Sequence, residues 1–417
     1  MVSILVSQCN SKERLNRLTA INWVSDFISL GGDVALRPYY SEICGAISAC
    51  ISDAENEIRV VAEKTNSALL SLVKNSEKSF ELPPLLNTLL VELRSNYVQT
   101  KLSALRWINM LLEKLPNEMN KSVDSLLPVL LETLSDDSDS VVLLVLQVLS
   151  RISLHEKEFK RVINAVLHLF SDDRRLLERR GSLVVRKLCV LMNSQSVYLS
   201  IASVLTNEEA GFSLEYISTM IQTLNLILLT AHELDSLRLV LKASFKPNAL
   251  PQDRQLFESL FRCWCHNPVS TYSLCLLAQA YQLSFALIRR FSSVEISVGF
   301  LMQLDKLVQL MESPIFISLR LQLLEVDQPF HPNLLKSLYG VLMLLPQSTA
   351  FRTLNDRLAT VCNLRDNLTV TQQQKIAKEK KALPQLEEFE PLLQHFDEVM
   401  QMHSDIREKK ITKGYLR

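Results

Sequence analysis

Glycine is scarce in this chain: there are 8 among 417 residues, where average usage of about 7% would supply roughly three times as many. Sites that cradle phosphates or nucleotides use glycine where backbone must approach a ligand closely, so that chemistry lacks its usual raw material. Net charge is missing too. Lys+Arg and Asp+Glu each number 45, leaving no global field to attract nucleic acid or anionic lipid. No apolar run reaches the roughly 18 residues that would span a bilayer; the nearest, 217–230, is short and carries Gln222 and Asn225. The opening residues do not read as a signal peptide. The 8 cysteines lack the regular pairing of a secreted disulfide scaffold and read as reduced, buried thiols of a cytosolic protein. The 7 histidines are scattered, and no Ser-His-Asp, carboxylate-pair or Cys-His arrangement emerges from local spacing. The chain therefore reads as a non-enzyme, with no catalytic residue, cofactor site or metal site to name.

What is present is helical periodicity. Sustained two-residue alternation is absent, while apolar residues recur at three and four positions from end to end, which makes the fold class all-α. The first half repeats a plan. Residues 38–51 form an apolar-faced helix, followed by Ser52-Asp53 and a second helix entered at Ile58. The same pairing returns at 82–93 with 98–112, at 122–134 with Ser135-Asp136-Asp137 and 141–152, and at 159–170 with Ser171-Asp172-Asp173 and 176–190. Leu15, Ile58, Val98 and Val141, which open the second helices, lie 43, 40 and 43 apart. A helix pair of roughly 40 to 47 residues is the period of HEAT and armadillo arrays. The short polar side chain in each Ser-Asp turn is expected to accept an orphan amide hydrogen of the helix that follows. Such a solenoid gains stability by stacking each repeat on its neighbours. The chain is also expected to begin inside a repeat, as a C-terminal portion, a shortened product or a protein capped by another chain would.

From Tyr198 the rhythm gives way to longer helices, so three segments are expected: HEAT repeats over 1–195, a helical C-terminal scaffold and oligomerisation domain over 196–365, and a charged, mostly flexible tail over 366–417. The tail contains Gln372-Gln373-Gln374, Lys378-Glu379-Lys380-Lys381 and Glu387-Glu388-Phe389-Glu390, and its low apolar content offsets ordering entropy poorly. Residues 256–325 stand out as the longest stretch of helical periodicity with unusual polar residues between the apolar ones. They read as a surface built to hold something.

Three local features within this frame invite sharper assignments. Cys263-Trp264-Cys265-His266 suggests zinc, but a second ligand pair is lacking. Positions 263 and 265 also diverge by about 200° on a helix, so core packing is the better reading. His266-Asn267-Pro268 reads as a helix junction, because Asn before Pro disfavours continued helix and Pro268 suits a first turn. Arg174, Arg175, Arg179, Arg180, Arg186 and Lys187 concentrate positive charge, and such a run is most often a solvated face pairing with its neighbours.

Longer motifs carry a resemblance. Residues 220–230 (MIQTLNLILLT), Trp264-Cys265-His266-Asn267-Pro268-Val269, 274–281 (LCLLAQAY), 303–310 (QLDKLVQL), Glu312-Ser313-Pro314, 319–325, Leu338-Tyr339-Gly340 and Leu344-Leu345-Pro346-Gln347-Ser348 occur in the order found in the Vac-fourteen family. That family is the HEAT-repeat scaffold of the PIKfyve-type phosphatidylinositol-3-phosphate 5-kinase complex. Residues 30–61 are similar to the family's central repeats. The resemblance implies a non-catalytic scaffold that self-associates through its C-terminal domain. It also implies that the scaffold joins the lipid kinase to a Sac-domain phosphoinositide 5-phosphatase and controls phosphatidylinositol 3,5-bisphosphate. Expected partners are thus the kinase, the phosphatase and further copies of the chain, with no nucleic acid. Location is expected to be cytoplasmic, peripheral on endosomal and vacuolar membranes through partners. Family members are longer, and their N-terminal repeats, associated with kinase engagement, are expected to be missing here. Candidate protein-contact residues are Trp264, His266, Asn267, Pro268, Gln279, Tyr281, Asp305, Lys306, Arg320 and Tyr339, with the corner 264–269 foremost.

A competing reading is a HEAT-repeat transport adaptor that cradles a cargo peptide in its concave face. It calls for asparagines and tryptophans at equivalent places of successive second helices. Trp23 and Trp107 fit, but 61–66 and 145–150 offer no tryptophan, so the pattern fails as a repeat.

Overall fold

A computed structural model describes residues 2–76, 80–246, 248–371 and 386–415. The described residues are helices and their connections, with no strand among them. They divide into two compact units, Met1–Leu176 and Leu177–Arg417.

The first unit contains α1 (Val2–Cys9), α2 (Arg14–Leu36), α3 (Tyr40–Ile51), α4 (Asn56–Asn75), α5 (Leu82–Leu93), α6 (Val98–Lys114), α7 (Pro116–Lys121), α8 (Val123–Thr133), α9 (Asp139–Ile152) and α10 (Glu156–Asp172). The expected pairs all appear. First helices pack on first helices (α3 on α5, α5 on α8), and second helices on second helices (α2 on α4, α4 on α6, α6 on α9). The stacking follows from the sequence period: Ile58, Ala62, Leu69 and Val73 fall on one stripe of α4 and are fully buried, as are Leu105, Ile108 and Leu111 on α6 and Val141, Val145 and Leu149 on α9.

The turns between helices of a pair do more than the sequence suggested. Asp53 Oδ1 accepts from the Glu55 amide at 2.9 Å and Asp136 Oδ1 from the Ser138 amide at 2.8 Å. Glu55 and Ser138 are the N-cap residues themselves, so these carboxylates fasten the turn one step before the helix rather than its first-turn amides. Only Asp173, accepting from the Leu176 amide at 3.1 Å, reaches into the helix it precedes. The spare carboxylate oxygens reach back one repeat. Arg17 Nε of α2 donates to Asp53 at 2.6 Å, and Lys101 Nζ of α6 to Asp136 at 2.5 Å. Burial alone would push the Asp53 carboxyl up, but the Arg17 guanidinium and the Glu55 amide outweigh it and hold it below the usual carboxylate range.

Helix α11 (Arg174–Leu191) contains the division between the units. The second unit continues with α12 (Ser194–Leu205), α13 (Leu214–Thr230), α14 (Asp235–Ala243), α15 (Pro251–Trp264), α16 (Pro268–Leu277), α17 (Tyr281–Arg290), α18 (Val298–Met311), α19 (Ile317–Gln322), α20 (His331–Leu344), α21 (Thr349–Thr371) and α22 (Glu390–Tyr415). Its centre is α15, which packs on α12, α14, α16 and α22; Phe257, Phe261, Cys263 and Trp264 are fully buried there. Helices α17 and α20 pack closely on each other. A Cβ on Gly340 would stand 2.7 Å from Ile288 Cγ1 and 3.0 Å from Cγ2, so a residue without a side chain is what permits it.

The tail differs from its expected mostly flexible character. The runs at 372–374 and 378–381 lie outside the described residues, but α22 is an amphipathic helix docked on α15 and α17. Phe389, Leu392, Leu393, Phe396 and Val399 are buried, with Phe396 stacked on Phe291 at 6.4 Å and Phe389 edge-on to Phe245 at 5.6 Å. Averaging composition over the tail hid this stripe. Apolar residues spaced for one helical face each contribute about 1.5–3 kcal/mol on full burial, which offsets the ordering of the last helix.

Candidate protein-binding surface of the second unit

The corner between α15 and α16 is built by local capping. Asn267 leaves the helical region, its side chain accepts from the Ser270 amide at 3.0 Å, and Pro268 occupies the first helical position. Thr271 Oγ1 donates to the Trp264 carbonyl at 2.6 Å and so ties the two helix ends together. Trp264 is wholly inside: its indole lies 6.1 Å from the Tyr198 ring, and Nε1 donates to Asn225 Oδ1 at 3.4 Å, an oxygen that also accepts from Ser273 at 2.8 Å. His266 Nδ1 lies 3.1 Å from His403 Nε2 of α22. Burial, aided by His403 and His395, lowers its pKa to about 4, and burial likewise lowers that of His403. The foremost candidate corner is thus covered by the C-terminal helix, with Trp264 at 0%, His266 at 9% and Asn267 at 4% exposure. Burial pushes the Cys263 and Cys265 thiols well up, which suits neutral core residues. Among the described residues no group of three or more His, Cys, Asp or Glu side chains is placed to hold a metal ion.

Other candidates also act as internal ties. Gln279 has a left-handed backbone, φ 62°, at the turn between α16 and α17. Its side-chain oxygen accepts from Gln322 at 3.2 Å, and Gln322 accepts from the Tyr281 hydroxyl. Burial raises the Tyr281 pKa, so the hydroxyl stays a donor. Arg320 donates to the carbonyls of Met311 and Ser313 and fixes the turn before α19. The arginine run in α11 behaves in part as a paired face, since Arg186 Nη2 lies 2.7 Å from Glu233 Oε1.

Asp305 and Lys306 have a different setting. They border a groove of about 880 Å³ between α13 and α18, with Leu226 and Leu229 on one wall, Val298, Met302 and Leu310 on the other, and Pro346 and Ser348 at the rim. Asp305 is held in place by Ser348 Oγ at 2.5 Å and Gln309 Nε2 at 2.8 Å, while Lys306 is exposed. Leu226, Val298 and Met302 are 45%, 76% and 68% exposed, so the groove presents apolar surface to solvent at several adjoining positions. Sequence reasoning missed these three residues. The available signal was that Leu226 sits off the face of Met220, Ile221, Leu224 and Leu228, and that Val298 and Met302 stand one turn apart on the outer side of α18. Tyr339, the remaining candidate, is 37% exposed on α20, with its hydroxyl 3.0 Å from Cys362 Sγ.

Residues 174–361 match the family described as Vacuolar protein 14 C-terminal Fig4p binding, and residues 1–142 match the EF3 N-terminal HEAT repeat. The whole groove lies inside the first match. The chain is similar to Protein VAC14 homolog of Arabidopsis thaliana, 45% identical over 362 residues, covering 87% of this chain and 48% of that protein. It is 36% identical over 385 residues to Protein VAC14 homolog of Schizosaccharomyces pombe, covering 88% and 46%. With Vacuole morphology and inheritance protein 14 of Saccharomyces cerevisiae it shares 32% identity over 365 residues, covering 86% and 40%. The chain therefore spans just under half the length of these curated relatives.

Proposed function

The chain belongs to the Vac14 family, and from that premise we propose that it is a non-catalytic scaffold whose second unit holds a Sac-domain phosphoinositide 5-phosphatase of the Fig4p type. In this reading the chain also self-associates and brings a PIKfyve-type lipid kinase to the same assembly. Two opposed enzymes are thereby held at high effective concentration beside one another, and phosphatidylinositol 3,5-bisphosphate on endosomal or vacuolar membranes is set by their balance. Membrane association is peripheral and comes through the partners; no described helix is long and apolar enough to cross a membrane. The three-segment organisation, with stacking repeats to about residue 195 and contact surfaces in 196–365, is part of the same proposal.

The observation that carries the reading is the exposed apolar groove of α13 and α18 inside the stretch matching a Fig4p-binding family. Its lining can anchor an aliphatic or aromatic side chain of a partner, with Asp305, Lys306, Gln222 and Gln309 as a polar rim. That layout, a buried apolar centre within a polar surround, is the one that concentrates binding energy at protein interfaces. Tyr339 and Pro268 are retained as peripheral contacts; the interior candidates serve by holding the two groove helices in place, Trp264 through Asn225 on α13.

The test is the mass of the purified chain alone and with the phosphatase, by light scattering, for the native chain and for Leu226→Asp and Met302→Asp. Both positions are exposed, so each change is expected to leave folding within about 0.5 kcal/mol of native while the heavier phosphatase complex is lost. A complex of unchanged mass and affinity in both variants would remove the groove from the contact.

A further inference from the structure

Seven of the cysteines are buried, and in five of them, Cys44, Cys189, Cys263, Cys265 and Cys275, burial pushes the thiol up. The other two, Cys9 and Cys50, act on each other. Cys9 closes α1 and Cys50 is the penultimate residue of α3, and these two helices pack together. The Cys50 thiol lies 3.7 Å from the Cys9 carbonyl oxygen, and the residues are 0% and 1% exposed. A hydrogen bond between the two thiols favours a Cys9 thiolate accepting from Cys50: it lowers the Cys9 pKa against the upward push of burial and, together with burial, raises that of Cys50. Thiolate character beside a second thiol marks a cysteine for redox chemistry, whereas a thiol whose pKa is raised by burial is inert.

Burial ordinarily keeps an oxidant out, but here it rests on little. Of the eight residues of α1 only Cys9 is buried, and Ile4 is 64% exposed, so the helix has few apolar contacts to lose on opening. Its exit is held more firmly. Arg17 donates to the carbonyls of Ser11 and Lys12, at 3.1 Å each, and is itself paired with Asp53 just beyond α3. Helix α1 can therefore swing out about a turn that stays pinned beside the end of α3, which bares Cys9 to solvent and returns it to Cys50 on closing.

We propose that Cys9 and Cys50 form a reversible redox pair, in which hydrogen peroxide closes a disulfide between α1 and α3. The Cys9 thiolate attacks a peroxide oxygen; the S–O bond forms, the O–O bond breaks, and hydroxide leaves and is protonated to water. The Cys50 sulfur then attacks the Cys9 sulfur of the sulfenic acid. The S–S bond forms, the S–O bond breaks, and the departing hydroxide takes the Cys50 proton as a second water. Two thiols thus give up two electrons to one peroxide, and a dithiol reductant restores them by thiol–disulfide exchange. The bond joins positions 41 apart in sequence and makes a weakly held helix a fixed member of a stack whose curvature rests on the rotation between neighbouring repeats.

The test treats the full chain with hydrogen peroxide, caps the remaining thiols with iodoacetamide and maps the digest by mass spectrometry before and after dithiothreitol. The expected product is a linked Cys9–Cys50 peptide, two hydrogens lighter than its parts and lost on reduction, with Cys44 and Cys263 still free. Amide hydrogen exchange over 2–9 should slow about tenfold or more in the oxidised chain, because opening no longer frees α1. Cys50→Ala removes the second thiol, so Cys9 should there be trapped by dimedone as the sulfenic acid, with exchange over 2–9 unslowed. Oxidation of half-exposed Cys362 while Cys9 and Cys50 stay free would overturn the proposal. So would a linked pair whose α1 amides exchange at the unoxidised rate, or Cys9 carried to the sulfonic acid with Cys50 still free.

Discussion

Replacing Gly340 tests whether the α17–α20 contact has the closeness ascribed to it. An alanine Cβ at 340 would lie 2.7 Å from Ile288 Cγ1, against the 3.4–4 Å of ordinary contact. The helices must part by the order of an ångström or Ile288 must leave its rotamer. Overpacking of this kind costs about 1–3 kcal/mol, while exchanging glycine for alanine in a helix returns about 1 kcal/mol of propensity. The net loss from Gly340→Ala alone is thus small and ambiguous, and the informative quantity is a coupling. Ile288→Ala removes both offending γ carbons, at a cavity cost of about 2–5 kcal/mol. In that background Gly340→Ala has nothing to strike and should become neutral or stabilising. Hydrogen exchange of amides in 281–290 and 331–344 reads the local opening free energy of both helices. The double-mutant cycle is expected to show a favourable interaction of about 1–3 kcal/mol. If the two changes add within about 0.5 kcal/mol, the helices are not in the contact described, and glycine at 340 serves something else.

Three further outcomes follow from the same structure. His266 has its pKa lowered to about 4 by burial against α22 with help from His403 and His395, and an exposed imidazole would titrate near 6.5. The detached state therefore takes up the proton first, and docking of α22 is fully stable above about pH 6.5 and weakens as pH falls toward 4, by about 2 kcal/mol at pH 5. Protease cleavage within 390–409, followed from pH 7 to 5, should accelerate in the native chain and much less in His266→Phe; a flat profile in the native chain would contradict it. Asp53→Asn should cost about 1–3 kcal/mol in denaturant unfolding, because it leaves Arg17 without its carboxylate. Since the folded carboxyl is held below its ordinary range, the difference between native and variant should be full above about pH 4 and vanish as pH falls through the depressed value. Asn225→Leu should destabilise the second unit by about 1–3 kcal/mol by orphaning the Trp264 indole, visible as altered Trp264 emission; unchanged emission and stability would show that the bond carries nothing.

The array was legible because its information is local and periodic. The 40-residue spacing of Leu15, Ile58, Val98 and Val141 and the Ser-Asp turns sit within one or two helices, and the helix bounds they imply fall within a few residues of α3 to α6 and α8 to α11. What escaped depended on non-local partners. Asp53 and Asp136 announce a turn, but nothing near them in sequence announces that Arg17 and Lys101, 36 and 35 residues earlier, take their second oxygens. The stripe Phe389, Leu392, Leu393, Phe396 and Val399 has a clear helical period, yet it was lost in the average of a charged tail. Whether such a stripe docks is decided by Phe245 and Phe291, more than 100 residues away.

The same distinction governs the candidate contacts. Trp264, Asn267, Gln279, Tyr281 and Arg320 are unusual polar or amphipathic residues in an apolar stretch, which is what marks them as contact candidates. A polar group that must be buried needs a matched partner, so interior ties demand specific residue types as strictly as interfaces do: Asn225 for the indole, Gln322 for Gln279 and Tyr281, two carbonyls for Arg320. Distinctive sequence at 264–281 therefore reports a demanding interior. An interface reveals itself by the opposite sign, apolar side chains such as Leu226, Val298 and Met302 left in solvent where burial was open to them. On that criterion the proposed partner surface of the second unit lies on α13 and α18, with the 264–269 corner acting at one remove, by setting through Asn225 where α13 stands.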